Sequence, residues 1–330
     1  METPLGLTIG TAALAGLLFG YCAQRGGFCL TRAVSNCALM GDASLLRAYG
    51  LAFLVATVGT HLLALGFVEE IPVRPFRWAA NLTGGLIFGV GMIWGGGCAS
   101  SSWYRVGEGA LGAWVVLGGF AVGATVTTVG ILQPLRSALG RLEARVGEVP
   151  TLDRLLGLGP WPVIAVLAVG LGAWLLRGRR EPASSKWPWP LTGLAIGLVI
   201  TLGWYLSTLA ETPTGITFAS NTGHLLTYPL VAYPNRITWG MVLVAAVAVG
   251  AALAAWWNAE FTWKPVPRGT GGKLFAGGVT MGVGALLADG CNITQGLTNG
   301  ATLALGSVVA FAAMLAGGWA TVWALYLRKT

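Results

Sequence analysis

Three cysteines in glycine-rich surroundings are the residues of this sequence best suited to chemistry. Cys98 and Cys291 end two similar glycine-rich stretches, and Cys29 ends the segment Arg25-Gly-Gly-Phe-Cys29. A thiol in an apolar channel stays protonated, because burial disfavours the thiolate, and then acts as a weak, polarizable S–H donor. Such a donor suits a large soft anion, particularly one with a terminal sulfur, whereas ionised thiols would suit a soft metal cation. The cysteines alone therefore leave the charge of the ligand open.

Neutral polar side chains accompany both glycine-rich cysteines. Ser100 follows Cys98, and Asn292 and Gln295 follow Cys291. These side chains supply hydrogen bonds without a full charge, which is what an anion or a dipolar solute in transit needs. The remaining cysteines, Cys22 and Cys37, have no such context and are interpreted as small hydrophobic residues of the helix packing.

Three charged residues complete the candidate site. Arg25 and Arg105 could steer an anion near one mouth of a path, although they also suit ordinary positively charged loops. Asp289 is the only acid within a predicted span. Three roles are open for it: pairing with an arginine, binding a coupling ion, or lying near the other mouth.

The composition requires that a membrane position these residues. The chain has 330 residues, of which 55% are apolar and 10% are charged, with a mean hydropathy of +0.71. Soluble proteins carry about 25% charged residues, so this composition excludes a water-soluble protein. The net charge of +8 is scattered between apolar runs, so we expect no nucleic-acid partner. No histidine-rich metal pattern or cofactor motif occurs, and we expect neither a metal nor a cofactor.

Nine apolar stretches predict an all-α polytopic membrane protein with about nine transmembrane helices. Residues 23–43 and 211–236 are too apolar for loops and too interrupted for spans, so we interpret them as short re-entrant or interfacial helices. The segment 133–160 reads as an amphipathic surface helix. The nine stretches are 6–22, 44–67, 82–98, 109–132, 161–177, 191–210, 237–257, 273–290 and 301–326.

An internal repeat relates the two halves of the chain. With an offset of 193, residues 84–98 align with residues 277–291 at seven identical positions of fifteen, including both cysteines. Four spans precede the stretch 161–177 and four follow it, so the halves are expected to be inverted, as in many secondary transporters. We therefore divide the chain into a first repeat (1–132), a segment with the amphipathic helix, connecting span and basic cytoplasmic linker (133–190), and a second repeat (191–330).

The distribution of lysine and arginine predicts the orientation. With the N-terminus periplasmic and the C-terminus cytoplasmic, the inner segments hold 13 of the 20 basic residues, and the short outer loops hold Arg74, Arg77 and Arg236. This satisfies the positive-inside rule. The inner residues are Arg25, Arg32, Arg47, Arg105, Arg177, Arg179, Arg180, Lys186, Lys264, Arg268, Lys273, Arg328 and Lys329.

Taken in order, the glycine–cysteine motifs resemble those of the YeeE/YedE sulfur-transport family. They are Arg25-Gly-Gly-Phe-Cys29, the stretch 89–102 around Cys98, the following Tyr104-Arg-Val-Gly-Glu-Gly109, and the stretch 281–296 around Cys291. The resemblance implies a bacterial inner-membrane importer of thiosulfate with pseudo-symmetric halves. It also implies that Cys29, Cys98 and Cys291 contact the anion in succession through S–H groups, and that a cytoplasmic TusA-like sulfurtransferase receives the sulfur. Asp289 stands where a small residue is common in that family.

The leading hypothesis is import of thiosulfate through a narrow constriction at the membrane midplane, with lipid around the protein and without an enzymatic step. A transporter of another small sulfur or selenium species is one alternative. A second is a membrane sulfurtransferase that forms a cysteine persulfide, and a third is a scaffold that anchors a cytoplasmic sulfurtransferase. The central expectation is that Cys98 and Cys291 face a common interior region and not the lipid.

Overall fold

A computed structural model describes residues 5–67, 72–143, 150–177, 186–231 and 237–328. These residues form an all-α protein, and the only β contacts among them are two isolated bridges. The helices are α1 (Leu5–Gly26), α2 (Leu30–Met40), α3 (Ser44–Leu63), α4 (Trp78–Trp94), α5 (Ala99–Gly107), α6 (Leu111–Thr128), α7 (Gln133–Gly140), α8 (Leu152–Leu155), α9 (Pro160–Leu176), α10 (Trp189–Leu209), α11 (Ala219–Val231), α12 (Trp239–Trp257), α13 (Gly271–Leu287) and α14 (Leu305–Val322). A π-helical turn (Thr294–Thr298) and a 3-10 turn (Gly300–Thr302) precede α14.

The protein is a polytopic membrane protein. Within the described ranges, seven helical segments are long and apolar enough to cross a membrane, and α9 and α13 are shorter apolar helices. Each of the nine predicted apolar stretches coincides with one helix: α1, α3, α4, α6, α9, α10, α12, α13 and α14. Large apolar side chains such as Val166, Val169 and Leu176 are exposed on the surface of α9, which suits contact with acyl chains. That all nine helices span the bilayer stays a prediction.

Two interrupted stretches differ in detail from the sequence-based expectation. In the first stretch, helix α2 has eleven residues and begins only at Leu30. The start of this stretch belongs to α1, because α1 continues to Gly26. In the second stretch an irregular, buried segment leads into α11, and residues 232–236 lie outside the described ranges. The expected single amphipathic helix over 133–160 is wrong: the chain forms the short helices α7 and α8, and residues 144–149 are not described.

Glycines set the packing between the two halves. An added Cβ at Gly85 or Gly89 of α4 would collide with the backbone of α14, and one at Gly278 or Gly282 of α13 would collide with the backbone of α6. Gly278 and Gly282 lie 193 residues beyond Gly85 and Gly89. The small residues let helix backbones approach closely where lipid provides no hydrophobic driving force between helices. The repeated glycines therefore make the same kind of contact twice.

Helix α4 runs antiparallel to α13 at the centre of the molecule. Gly84 faces Gly284 and Ala288, whereas Gly91 faces Gly277 and Met281. The other main contacts between halves pair α1 with α12, α3 with α10, α4 with α14 and α6 with α13. By their order in the two halves, α1, α3, α4 and α6 correspond to α10, α12, α13 and α14. When each helix is exchanged for its counterpart, the same set of contacting pairs is obtained.

Candidate functional site

Each of the three candidate cysteines immediately precedes a short helix. Cys29 precedes α2, Cys98 precedes α5, and Cys291 precedes the helical segment that begins at Asn292. The expectation that Cys98 and Cys291 end glycine-rich spans is wrong in detail. Helix α4 ends at Trp94 and α13 ends at Leu287, so a short turn separates each span from its cysteine.

The two turns explain why an aspartate can occupy position 289. Gly96 and Asp289 are equivalent under the offset of 193, and both have left-handed backbone conformations, with φ of 64° and 58°. Glycine adopts this conformation freely, and aspartate is among the few other residues that tolerate it. The sequence alone gives no sign that the two positions share a turn.

Cys29 and Cys98 lie next to each other inside the protein. Their thiols are within hydrogen-bonding reach of each other, and both cysteines are unoxidised and buried. The sulfur of Cys98 also lies 3.4 Å from the hydroxyl oxygens of Ser100 and Ser101. Neutral hydroxyl groups therefore lie next to this pair of thiols, and the expectation that Ser100 serves an anion stays a prediction.

A cavity of about 490 Å³ with several charged residues in its lining reaches Cys29. Its lining includes four basic side chains and one acidic side chain, namely Arg25, Arg32, Arg105, Lys186 and Glu108. Arg105 donates to the carbonyl oxygen of Gly96 over 2.8 Å. Arg25 and Arg105 line the same cavity as Cys29, and their role in steering an anion stays a prediction. We call this space the basic cavity.

An ionic network at the rim holds the basic cavity together. Glu260 accepts hydrogen bonds from Arg25 at 3.3 Å and Gln24 at 3.2 Å, and it also pairs with Lys186. Burial acts to raise the pKa of the Glu260 carboxyl, but the contacts with Lys186, Gln24 and Arg25 outweigh it and lower the pKa from its usual value. Glu260 is therefore an anion at neutral pH.

Cys291 lies beside a second, smaller cavity near the opposite ends of α4 and α13. Its sulfur is 3.5 Å from the hydroxyl oxygen of Thr294, and Thr294 lines a cavity of about 60 Å³. The lining includes the hydroxyl-bearing Thr217 and Ser220 and the guanidinium groups of Arg74 and Arg136. We call this space the arginine cavity.

Asp289 pairs with arginines at the arginine cavity. Its carboxylate lies 3.0 Å from Arg77, 3.5 Å from Arg136 and 3.9 Å from Arg74. Arg77 also pairs with Glu143 at 3.1 Å. Of the roles left open by the sequence, arginine pairing and a position at a mouth match these contacts. Three arginines and two carboxylates leave a net positive charge at this cavity.

The two polar residues after Cys291, Asn292 and Gln295, have different hydrogen-bond partners. Asn292 is fully buried and its side-chain amide lies 2.9 Å from the hydroxyl oxygen of Tyr49. Gln295 instead donates to the carbonyl oxygen of Ala288 and accepts from Ser307 at 2.7 Å. Both polar groups of Gln295 are thus used to brace the chain after α13, which makes it a structural residue.

Several residues of this region were not identified from the sequence. Tyr49 lies within a span, Arg32 and Arg136 were counted only as basic residues, and Thr217 is in an irregular stretch. Their roles depend on contacts between distant segments. Only the period of α3 could have placed Tyr49 on an inward face. No cluster of three metal-binding side chains occurs within the portions of the chain that are described.

Comparison with known proteins gives full-length relatives. Residues 25–320 match a protein family described as sulphur transport. The chain is 29% identical to the thiosulfate transporter TsuA of Escherichia coli strain K12, over 96% of this chain and 94% of the relative. It is 30% identical to the thiosulfate transporter TsuA of Spirochaeta thermophila, over 97% of this chain and all of the relative. It is 31% identical to the probable transporter YedE of Salmonella typhimurium, over 36% of this chain and 29% of that protein.

Proposed function

Because the chain belongs to the sulphur-transport family, we propose that it imports thiosulfate across a bacterial inner membrane. The family match and the two full-length relatives named as thiosulfate transporters support the substrate. The observation that carries the mechanism is the position of the three thiols. All three cysteines are buried, Cys29 lines the basic cavity, and Cys291 contacts Thr294, which lines the arginine cavity.

The anion enters at the arginine cavity and leaves through the basic cavity. Arg74 and Arg136 attract it, and the hydroxyl groups of Thr217 and Thr294 replace part of its hydration shell. The anion then binds to the thiol of Cys291 and afterwards to the thiols of Cys29 and Cys98. A neutral S–H donor binds an anion more weakly than a cation does, so each contact can release it.

We also propose that residues 1–132 and 191–330 are inverted repeats joined through α9. The antiparallel pairing of α4 with α13 and the exchangeable pattern of helix contacts support this arrangement. The basic cavity then faces the cytoplasm, because Arg25, Arg32, Arg105 and Lys186 belong to the lysine- and arginine-rich side. The N-terminus is periplasmic and the C-terminus is cytoplasmic. Arg179 and Arg180, which also belong to the inner set, lie outside the described residues.

A cytoplasmic TusA-like sulfurtransferase would receive the sulfur at the basic cavity, as the family resemblance implies. We expect transport to need no enzymatic step in the membrane protein itself. A membrane sulfurtransferase remains the rival, since Cys29 and Cys98 contact each other. Intact-mass measurement during turnover separates the two functions: a sulfur atom retained on Cys98 supports the enzyme, and an unmodified chain supports the transporter.

Uptake of labelled thiosulfate by proteoliposomes, without any partner protein, tests the proposed function. We expect the Cys98→Ala and Cys291→Ala variants to lose at least about 90% of the initial rate, because each removes a donor from a buried path. Cys37→Ala is the matched control, since Cys37 lines an apolar groove with Leu46 and Trp319 and should retain full uptake. Normal uptake by both variants would eliminate the thiol mechanism, and no uptake by the unmodified protein would eliminate the function.

A further inference from the structure

Tyr49 of α3 contacts both Phe28, which precedes Cys29, and Asn292, which follows Cys291. Its ring stacks on Phe28, the neighbour of Cys29, with 4.0 Å between ring centroids and 18° between planes. The phenol is buried and lies within electrostatic range of the Cys29 and Cys98 sulfurs. The ring is therefore fixed with one side against the segment that carries the thiol pair.

The hydroxyl group of Tyr49 contacts the segment that carries Cys291. It lies 2.9 Å from the side-chain amide nitrogen of Asn292, the residue that follows Cys291. Asn292 is fully buried, and its amide oxygen, an acceptor, has no hydrogen-bond partner. Buried polar groups are nearly always paired, so this oxygen needs an explanation, and an anion supplies one only when the amide is turned over, with the oxygen on Tyr49 and the NH2 group unpaired.

The pair retains a spare donor in both orientations of the amide. When the amide N–H donates to Tyr49, the phenol O–H is free to donate elsewhere. When the amide is turned over, the phenol donates to the amide oxygen and the NH2 group becomes free. Asparagine orientation is assigned from such networks, so the conclusion must hold for both.

We infer that Tyr49 and Asn292 form a binding position for a sulfur oxyanion between Cys291 and the Cys29–Cys98 pair. The inference rests on the proposed function. It adds a binding position that is formed by O–H and N–H groups of the protein and not by thiols. The O–H and N–H donors suit the oxygen end of thiosulfate, whereas the thiols suit its terminal sulfur. Both donors are neutral, so the anion is held without a counter-charge and passes on.

The test compares Tyr49→Phe with the unmodified protein in the proteoliposome uptake assay with labelled thiosulfate. Phenylalanine keeps the stacking on Phe28 and removes only the donor. We expect kcat/KM for thiosulfate to fall about tenfold, because a hydrogen bond to an anion is lost. Tyr205→Phe is the matched control. Tyr205 is on the outer surface of α10 against Phe67 and should behave like the unmodified protein.

A binding measurement separates a ligand role from a structural one. Thiosulfate should raise the melting temperature of the unmodified protein in detergent, and this rise should shrink in Tyr49→Phe while the melting temperature without ligand stays the same. Uptake by Tyr49→Phe within twofold of the unmodified protein, with an unchanged thermal shift, would overturn the inference. If Tyr49→Phe melts early, the second variant Asn292→Asp decides, because it places a like charge in the same position. The inference then stands only if Asn292→Asp stays folded and blocks uptake, and any other result overturns it. An unmodified protein that transports no thiosulfate would instead count against the proposed function.

Discussion

At the scale of single residues, the three cysteines share one arrangement: each thiol is at the start of a short helix, with hydroxyl groups nearby. The backbone N–H groups at such a start carry partial positive charge, which favours a bound anion. Cys98 has Ser100 and Cys291 has Thr294 within 3.5 Å of the sulfur. Full charges are kept at the two cavities, where Arg136 and Arg105 lie. In the proposed mechanism, the path therefore attracts the anion at its mouths and holds it weakly at its centre.

The network at the basic cavity predicts a pH dependence of stability. The lowered pKa of Glu260 means that the unfolded chain binds more protons than the folded one as Glu260 titrates. Its contribution is therefore complete above the unfolded-state pKa of about 4.3 and is lost as the pH falls through the lower folded-state pKa. The contribution should be small, about 1 kcal/mol or less, because Glu260 and Lys186 are partly exposed.

Thermal unfolding in detergent checks this prediction. Carboxyl groups titrate between about pH 3 and pH 7. As the pH rises through this range, the melting temperature of the unmodified protein should increase relative to that of Glu260→Gln. The exposed Glu211 supplies the control variant Glu211→Gln, which should follow the unmodified protein. A constant difference between Glu260→Gln and the unmodified protein across this range would contradict the assignment.

The sequence singles out the cysteines as candidate site residues, but it does not single out Tyr49, which contacts the segments that carry them. The repeated glycine–cysteine pattern around Cys98 and Cys291 is local, so it is visible without coordinates. Tyr49 and Asn292 are 243 positions apart, and no local pattern joins them. Asp289 was noticed as an acid in a span, but its arginine partners come from other segments, so its role stayed open.

At the scale of helices, glycine determines which elements meet. The α4–α13 contact is close because Gly84, Gly91, Gly277 and Gly284 leave room for the opposite backbone. The nine apolar stretches could be predicted because hydropathy alone marks a helix in lipid. The ends of α4 and α13 could not, since they depend on the left-handed turn residues Gly96 and Asp289. The division of 133–160 into α7 and α8 was missed as well.

Substituting a glycine at this contact should destabilise the fold. A Cβ at Gly91 would lie 2.7 Å from the Cα of Met281 and 2.9 Å from the carbonyl oxygen of Gly277. Because backbone atoms cannot move aside as a flexible side chain can, we expect Gly91→Ala to cost about 1–3 kcal/mol or more. The melting temperature in detergent and the yield of folded protein measure the effect.

Gly118→Ala is the matched control for the α4–α13 contact. Gly118 lies within helix α6, and an added Cβ there would meet nothing within 4 Å. Alanine also favours a helix over glycine by about 1 kcal/mol, so this variant should be as stable as the unmodified protein or slightly more stable. Equal melting temperatures for Gly91→Ala and Gly118→Ala would refute the close-contact explanation.

At the scale of the whole molecule, the two halves of the chain would contribute different parts of the proposed path. The first half supplies Cys29, Cys98 and Tyr49, and the second supplies Cys291 and Asn292. The basic cavity and the arginine cavity lie on either side of these residues. In the proposed inverted arrangement each half closes one side of the centre. The meeting of two inverted repeats stays a prediction of the sequence, whereas the burial of Cys98 and Cys291 agrees with the expectation that neither faces lipid.

The position of bound thiosulfate tests the account most directly. We propose to determine the structure of the protein in lipid nanodiscs with saturating thiosulfate and to compare it with the ligand-free state. The account predicts density for the anion inside the protein, in contact with the sulfur of Cys291 or of the Cys29–Cys98 pair and in line with both cavities. Thiosulfate bound only at the surface, with these thiols packed against unchanged side chains in both states, would contradict it.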